Sequence, residues 1–148
     1  MRRTASLLAL AFCLLASPAR ADADVLNVKF GILKQVSPGE YRMDVQTTRI
    51  PRKLKETGFR FGVEFENPNR EAIDWFEVVH SPAPLQEASG DARKVAPEAI
   101  QTDLYRSSDA RIVDHFWFDE GDPLGKHRLE LFVKGQRIYS VDFDVVPE

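Results

Sequence analysis

Residues 59–65 place the tightest constraint on what this chain can become, because Phe59, Phe61, Val63 and Phe65 alternate there with Arg60, Gly62 and Glu64. A period of two puts the four apolar side chains on one face of an extended strand, and no helix could gather them on one side. Arg60, Glu64 and Glu66 are then expected to face solvent. A strand that is apolar on one side needs a second layer to cover it, so this heptapeptide already asks for packed sheets.

The same period recurs elsewhere. Leu129, Leu131 and Val133 alternate with Arg128, Glu130 and Lys134, and Tyr139, Val141, Phe143 and Val145 alternate with Ser140, Asp142 and Asp144. Gly135-Gln136 between the two runs predicts a β-hairpin over 127–146, closed by a type II′ turn with glycine as its first loop residue. Further strands are expected over 25–33, 40–48, 73–79, 99–105 and 111–118, punctuated by Ser37-Pro38-Gly39, Asn67-Pro68-Asn69 and Gly121-Asp122-Pro123. The stretch 81–97, with three Pro and mixed charges, reads as an exposed loop. Seven or eight short strands without a long amphipathic helix indicate an all-β domain, an antiparallel β-sandwich of immunoglobulin-like type, with a small barrel as the alternative.

The N-terminus reads differently. Arg2 and Arg3 precede an apolar segment over 7–16, and Ala19-Arg20-Ala21 offers the small residues that a signal peptidase reads. Residues 1–21 are therefore expected to be a signal peptide cleaved after Ala21, leaving 22–148 as a single β-sandwich domain in the periplasm or outside the cell. Cys13, the one cysteine of the chain, lies inside the apolar segment behind the bulky Phe12, which does not fit a lipid-modified signal. Cleavage removes it and three Arg, lowering the formal charge from −3 to −6. An acidic, cysteine-free chain offers no thiolate nucleophile, redox pair or thiolate zinc site, and disfavours nucleic acid and anionic membrane surfaces as partners. No later run approaches the roughly 20 apolar residues needed to span a bilayer, so no stable membrane insertion is expected after cleavage.

Gly31 in the first strand, Thr48-Arg49-Ile50-Pro51 leading into Thr57-Gly58-Phe59-Arg60-Phe61-Gly62, His80-Ser81-Pro82 at a strand exit and the terminal hairpin over 125–145 resemble the bacterial secreted domain of unknown function 3859 family. The resemblance covers nearly the whole mature chain and implies a single β-rich exported domain with no established activity. His127 departs from it, standing where an aromatic residue is expected.

Residue types that could carry chemistry are few. His80, His115 and His127 lack the close spacing of zinc ligands on one turn or hairpin. Asp114, Asp119, Glu120 and Asp122 cluster near Gly121 and Pro123, but without the alternation and closing Glu of a calcium loop they read as solvated turn acids. No Gly-x-Ser-x-Gly elbow or phosphate-binding glycine loop is present. No catalytic, cofactor or metal residue is assigned, and no cofactor is expected. Trp117 is the most informative single side chain. Parity groups Phe116 and Phe118 with Ile112 on one face and sets His115 and Trp117 with Val113 on the other. If the first face is core, Trp117 and His115 stand outside as a candidate binding surface; the alternative is that Trp117 lies under the 81–97 loop. Trp75 shares parity with Ile73 and Val79 and is expected in the core.

The functional expectation is an exported, non-enzymatic binding domain for a protein, peptide or glycan. The alternative is a small periplasmic hydrolase or metal-dependent enzyme using His115 with the acids from Asp114 to Asp122. The leader is tested by intact mass of the exported protein, which is expected to begin at Asp22; a mass that includes residues 1–21, or lipid on Cys13, overturns it.

Overall fold

The computed structural model describes residues 25–85 and 91–148. The expected signal peptide and its cleavage point lie outside these. Among the described residues there are eleven strand segments and no helix: β1 Leu26–Ser37, β2 Glu40–Gln46, β3 Arg49–Pro51, β4 Arg60–Glu66, β5 Ile73–His80, β6 Ala92–Ala96, β7 Ala99–Thr102, β8 Tyr105–Ser107, β9 Arg111–Phe116, β10 Gly125–Val133 and β11 Gln136–Val146. One sheet runs β2-β1-β4-β9; the other runs β3-β11-β10-β5-β7-β6, with β8 also paired to β5. All pairs are antiparallel except β3 with β11.

The two sheets face each other as the alternation demands. Phe59, Phe61, Val63 and Phe65 are all buried, and so are Ile73, Trp75, Leu129, Leu131, Val133, Phe143 and Val145 opposite them. Phe61 is the hub, with ring centres of Phe118, Phe116, Phe143 and Phe30 at 4.7, 5.8, 5.9 and 6.3 Å. Phe65 meets Trp75 edge-on at 5.5 Å, deeper in the same layer. Full burial of each such side chain is worth about 1.5–3 kcal/mol, so this seam is the main cohesive term between the sheets.

The eight expected runs all carry strands, with four differences. The terminal hairpin turns on Lys134-Gly135, both at positive φ (50° and 76°), which is a type I′ turn rather than type II′; Val133 pairs with Gln136 across it. The expected 99–105 strand breaks at Asp103-Leu104 into β7 and β8, both lying along β5. Five residues of the expected 81–97 loop form β6, an exposed edge strand whose Arg93 and Lys94 read as loop in sequence because charged edges deter further pairing.

The fourth difference concerns Glu64, expected in solvent and found 6% exposed. Register shifts in β1 between Ile32 and Leu33 and between Gln35 and Ser37 bend the β1–β2 hairpin over the outer face of β4. The Met43 N–H donates to Glu64 Oε2 at 2.9 Å, while Lys29 and Arg111 each approach Oε1 at 3.8 Å. In denaturant melts Phe61→Ala is expected to cost about 3–5 kcal/mol. Glu64→Ala is expected to cost about 1–3 kcal/mol, because it strands a backbone donor, where a solvent-facing change would cost about 0.5 or less. An unchanged midpoint for Glu64→Ala would put β2 away from β4.

Candidate functional site

Strand β9 closes one edge of the four-stranded sheet, and both faces of it carry unusual side chains. Ile112 is buried and Phe116 packs on the core, so the face bearing them is inward as parity required. The opposite face presents His115, with Trp117 just past the strand end. Trp117 is 39% exposed. The ring of Tyr41, carried across by β2, lies 4.5 Å from that of His115, and His115 lies 6.4 Å from Trp117. The Arg60 guanidinium sits 5.4 Å from the Trp117 ring centre and 6.0 Å from that of Tyr41, within cation–π range. It is anchored by donating to the carbonyls of Phe59 at 2.8 Å and Thr57 at 3.2 Å. Burial lowers the His115 pKa; Asp114 opposes this and Arg60 adds to it. The structure thus brings Trp117 and His115 together and adds Tyr41 and Arg60, which no sequence spacing linked to them. Leu85, in the segment expected to cover Trp117, borders the same cleft without removing its exposure.

The remaining histidines sit elsewhere. His80 Nε2 pairs with Glu130 Oε2 at 2.9 Å, and Glu130 is also bound by Arg137. His127 is buried, its ring 5.2 Å from that of Phe143 and its Nδ1 bonded to the Gly125 carbonyl at 2.9 Å, so it fills the aromatic place with an imidazole. Asp119 and Asp122 close a turn on themselves, the Asp119 N–H donating to Asp122 Oδ2 at 2.7 Å. Among the described residues no three His, Asp or Glu side chains are placed to hold a metal ion.

The inward face of β9 holds what the sequence reading passed over. Asp114 shares the parity of Ile112 and Phe116, and on β5 Glu77 shares that of Ile73 and Trp75, so two carboxyl groups point into the sandwich. Gly62 permits the approach, since a Cβ there would lie 2.2 Å from the Asp114 carbonyl oxygen. Glu77 is 0% exposed. Its N–H donates to Thr102 Oγ1 at 2.9 Å where β7 breaks off, but neither carboxyl oxygen finds a donor among the described residues, and Asp114 Oδ2 is equally unpartnered. A proton held between the two carboxyls supplies the missing donor. Burial raises the Glu77 pKa well above its ordinary value, and the neighbouring Asp114 raises it further. Burial raises Asp114 as well, while the bond from Glu77 pulls the other way. Tyr105 donates its hydroxyl to Asp91 beside the pair, and burial followed by that bond raises its pKa.

A cavity of about 80 Å³ opens beside Asp114, lined by Asp91, Thr102, Tyr105, Asp114, His115 and Trp117. A second, of about 60 Å³, continues into apolar ground between Phe61, Phe116, Phe118, His127 and Phe143. Asp114 and His115 occupy successive positions of β9 and both border the first of these cavities, as do Asp119 and Asp122, the acids that the hydrolase alternative named. Parity alone would have placed Glu77 and Asp114 inside; what hid them was the expectation that acids face water.

Fold and site together define an immunoglobulin-like β-sandwich whose distinctive chemistry is gathered at one sheet edge. The chain belongs to the PM0630 beta sandwich domain family, whose model matches residues 28–146. It is similar in structure to an immunoglobulin-like protein from Pseudomonas aeruginosa, with a TM-score of 0.58, 19% identity, and coverage of 85% of this chain and 99% of that one, a likeness of fold alone. An alkylpurine DNA glycosylase from Pseudomonas fluorescens, solved on DNA with an abasic-site analogue, aligns at a TM-score of 0.34 and 14% identity over 80% of this chain and 30% of its own, too loosely to argue from. Among curated proteins no relative matches the sequence.

The raised pKa of Glu77 has a thermodynamic consequence. A carboxyl whose folded pKa exceeds its unfolded value stabilises the fold only while protonated, so its contribution is lost as pH rises from about 4.5 through the folded pKa. Glu77→Gln is therefore expected to gain stability relative to the parent as pH increases, levelling off at high pH. Unfolding free energies of both proteins across pH check this; a pH-independent difference would mean that no proton is held.

Proposed function

We propose that this chain is an exported, non-enzymatic binding domain that recognises a protein, peptide or glycan through the outer face of β9, with Trp117 and His115 at the centre of contact and Tyr41 and Arg60 supporting them. The observation that carries the reading is the exposed Trp117 ring held against an anchored guanidinium. Exposed aromatics pre-set by neighbours lose little entropy on contact, which is why Trp, Tyr and Arg dominate binding hot spots. An open groove of about 550 Å³ beside His115, lined by Tyr41, Arg42, Arg111 and Val113, offers the space an extended ligand needs. The acidic balance of the chain supports a partner other than nucleic acid or an anionic membrane. Export through a signal peptide cleaved after Ala21, to the periplasm or beyond, completes the reading. So does kinship with the domain of unknown function 3859 family, on the motifs described above.

Glycan and peptide arrays probed with the parent and with Trp117→Ala test it. Ligands retained by the parent are expected to weaken by about 30-fold or more in the variant, the size of a hot-spot truncation, at an unchanged unfolding midpoint. Arrays that retain nothing, or ligands indifferent to Trp117, overturn it.

A further inference from the structure

We propose that the cleft between β9 and the β5–β7 edge is a pocket for one basic side chain, an ammonium or guanidinium presented by a polypeptide partner, seated with its charge against Asp114, the cleft-side member of the pair it forms with the buried Glu77. The proposal rests on the binding-domain reading for the existence of a partner, and on the cleft adjoining that surface, which Trp117 and His115 also border, for its chemistry.

Charge is the first argument. Among the described residues four aspartates, Asp91, Asp114, Asp119 and Asp122, line the cleft with His115, and no Lys or Arg lines it; Lys94 and Arg52 reach only its rim, donating to the carbonyls of Leu85 and Asp122. The ion pairs of Lys29, Lys34, Lys53, Arg106, Arg111, Arg128 and Arg137 are all made with other acids. The second argument is independent of that clustering. Glu77 is fully buried, and the one proton it shares with Asp114 serves only one of its two carboxyl oxygens, so the pair holds more buried acceptors than donors, with Asp114 lining the cleft. Buried acceptors without donors are costly, and an incoming N–H donor cation satisfies them.

Shape narrows the ligand. The acidic cavity of about 80 Å³ and the apolar one of about 60 Å³ share Leu85, Ile100, Phe116 and Trp117 in their walls. Together they suit a charged head on a short hydrocarbon stem, and are too small for a drug-sized or saccharide ligand. A metal ion fits less well, since no three acidic or histidine ligands converge among the described residues.

The seated cation replaces a proton. Acting on Glu77 are Asp114 on β9 and Asp91 beside β6, with Tyr105 on β8 bonded to Asp91, while His115 lines the cleft next to Asp114. Acids dominate this set, so a cation among them favours ionisation of the Glu77–Asp114 pair, and binding expels the proton into solvent. Affinity then rises with pH.

Calorimetric titration of the mature chain with N-acetyl-arginine methylamide, its lysine counterpart, the uncharged citrulline analogue and free methylguanidinium tests the proposal. Saturable binding of the arginine or lysine probe is expected, about tenfold or more tighter than citrulline, tightening with pH and weakened about tenfold or more by Asp114→Asn. Glu77→Gln, which is expected to fold at least as stably as the parent, should weaken it and abolish its pH dependence. Equal binding of citrulline, or indifference to both variants, overturns the pocket; methylguanidinium binding as tightly as the flanked arginine overturns the polypeptide source. Trp117→Ala losing array ligands while Glu77→Gln keeps them, alongside a failed arginine titration, would leave the outer platform standing and the pocket refuted.

Discussion

The contact of Phe61 with Phe143, ring centres 5.9 Å apart across the gap between the sheets, is the interaction on which the rest of the molecule depends. Phe61 reaches Phe116 and Phe118 on the β9 side, and Phe143 reaches Phe30 and His127, so one aromatic seam ties five strands of two sheets together. Hydrophobic burial is non-directional, but edge-to-face and offset ring packing is not, and a seam of this kind sets the distance and angle between layers. β9 is an edge strand with a single hydrogen-bonded neighbour, and the grip of Phe116 and Phe118 on Phe61 fixes where its two faces point.

Two buried glutamates show how the same residue type is accommodated in opposite ways. Glu64 is covered by the bent β1–β2 hairpin and meets a backbone N–H and two cationic neighbours, so its charge is compensated where it lies. Glu77 meets another acid and no cation, and a shared proton replaces the missing donor. The first arrangement helps hold a hairpin in place. The second costs stability at neutral pH, and a cost kept inside a small domain marks a position with a use beyond folding.

Fold kinship and function part company here. The sandwich is shared with the PM0630 beta sandwich domain family and with a Pseudomonas aeruginosa immunoglobulin-like protein, and such a scaffold hosts many unrelated activities. The chemistry of this chain is local: an aromatic and cationic group around Trp117 and His115 that borders an acidic cleft at the β9 edge. The bulk of the sandwich supports both without dictating either.

Period-two alternation was enough to place Phe61, Val63, Phe65, Trp75, Leu129 and Phe143 in a core, to require two layers, and to set Trp117 and His115 on the face of their strand opposite Ile112 and Phe116, because parity along a strand is a local property that survives any tertiary arrangement. It also contained Glu77 and Asp114, whose inward parity was overridden by the general rule that acids are exposed. The burial of Glu64, the meeting of Tyr41 and Arg60 with Trp117, and the facing of Glu77 by Asp114 were decided by the tertiary structure alone. Each joins strands far apart in sequence, through bulges in β1, a bare Gly62 and the spacing between sheets, and a pattern read along one strand carries no information about which other strand is brought beside it.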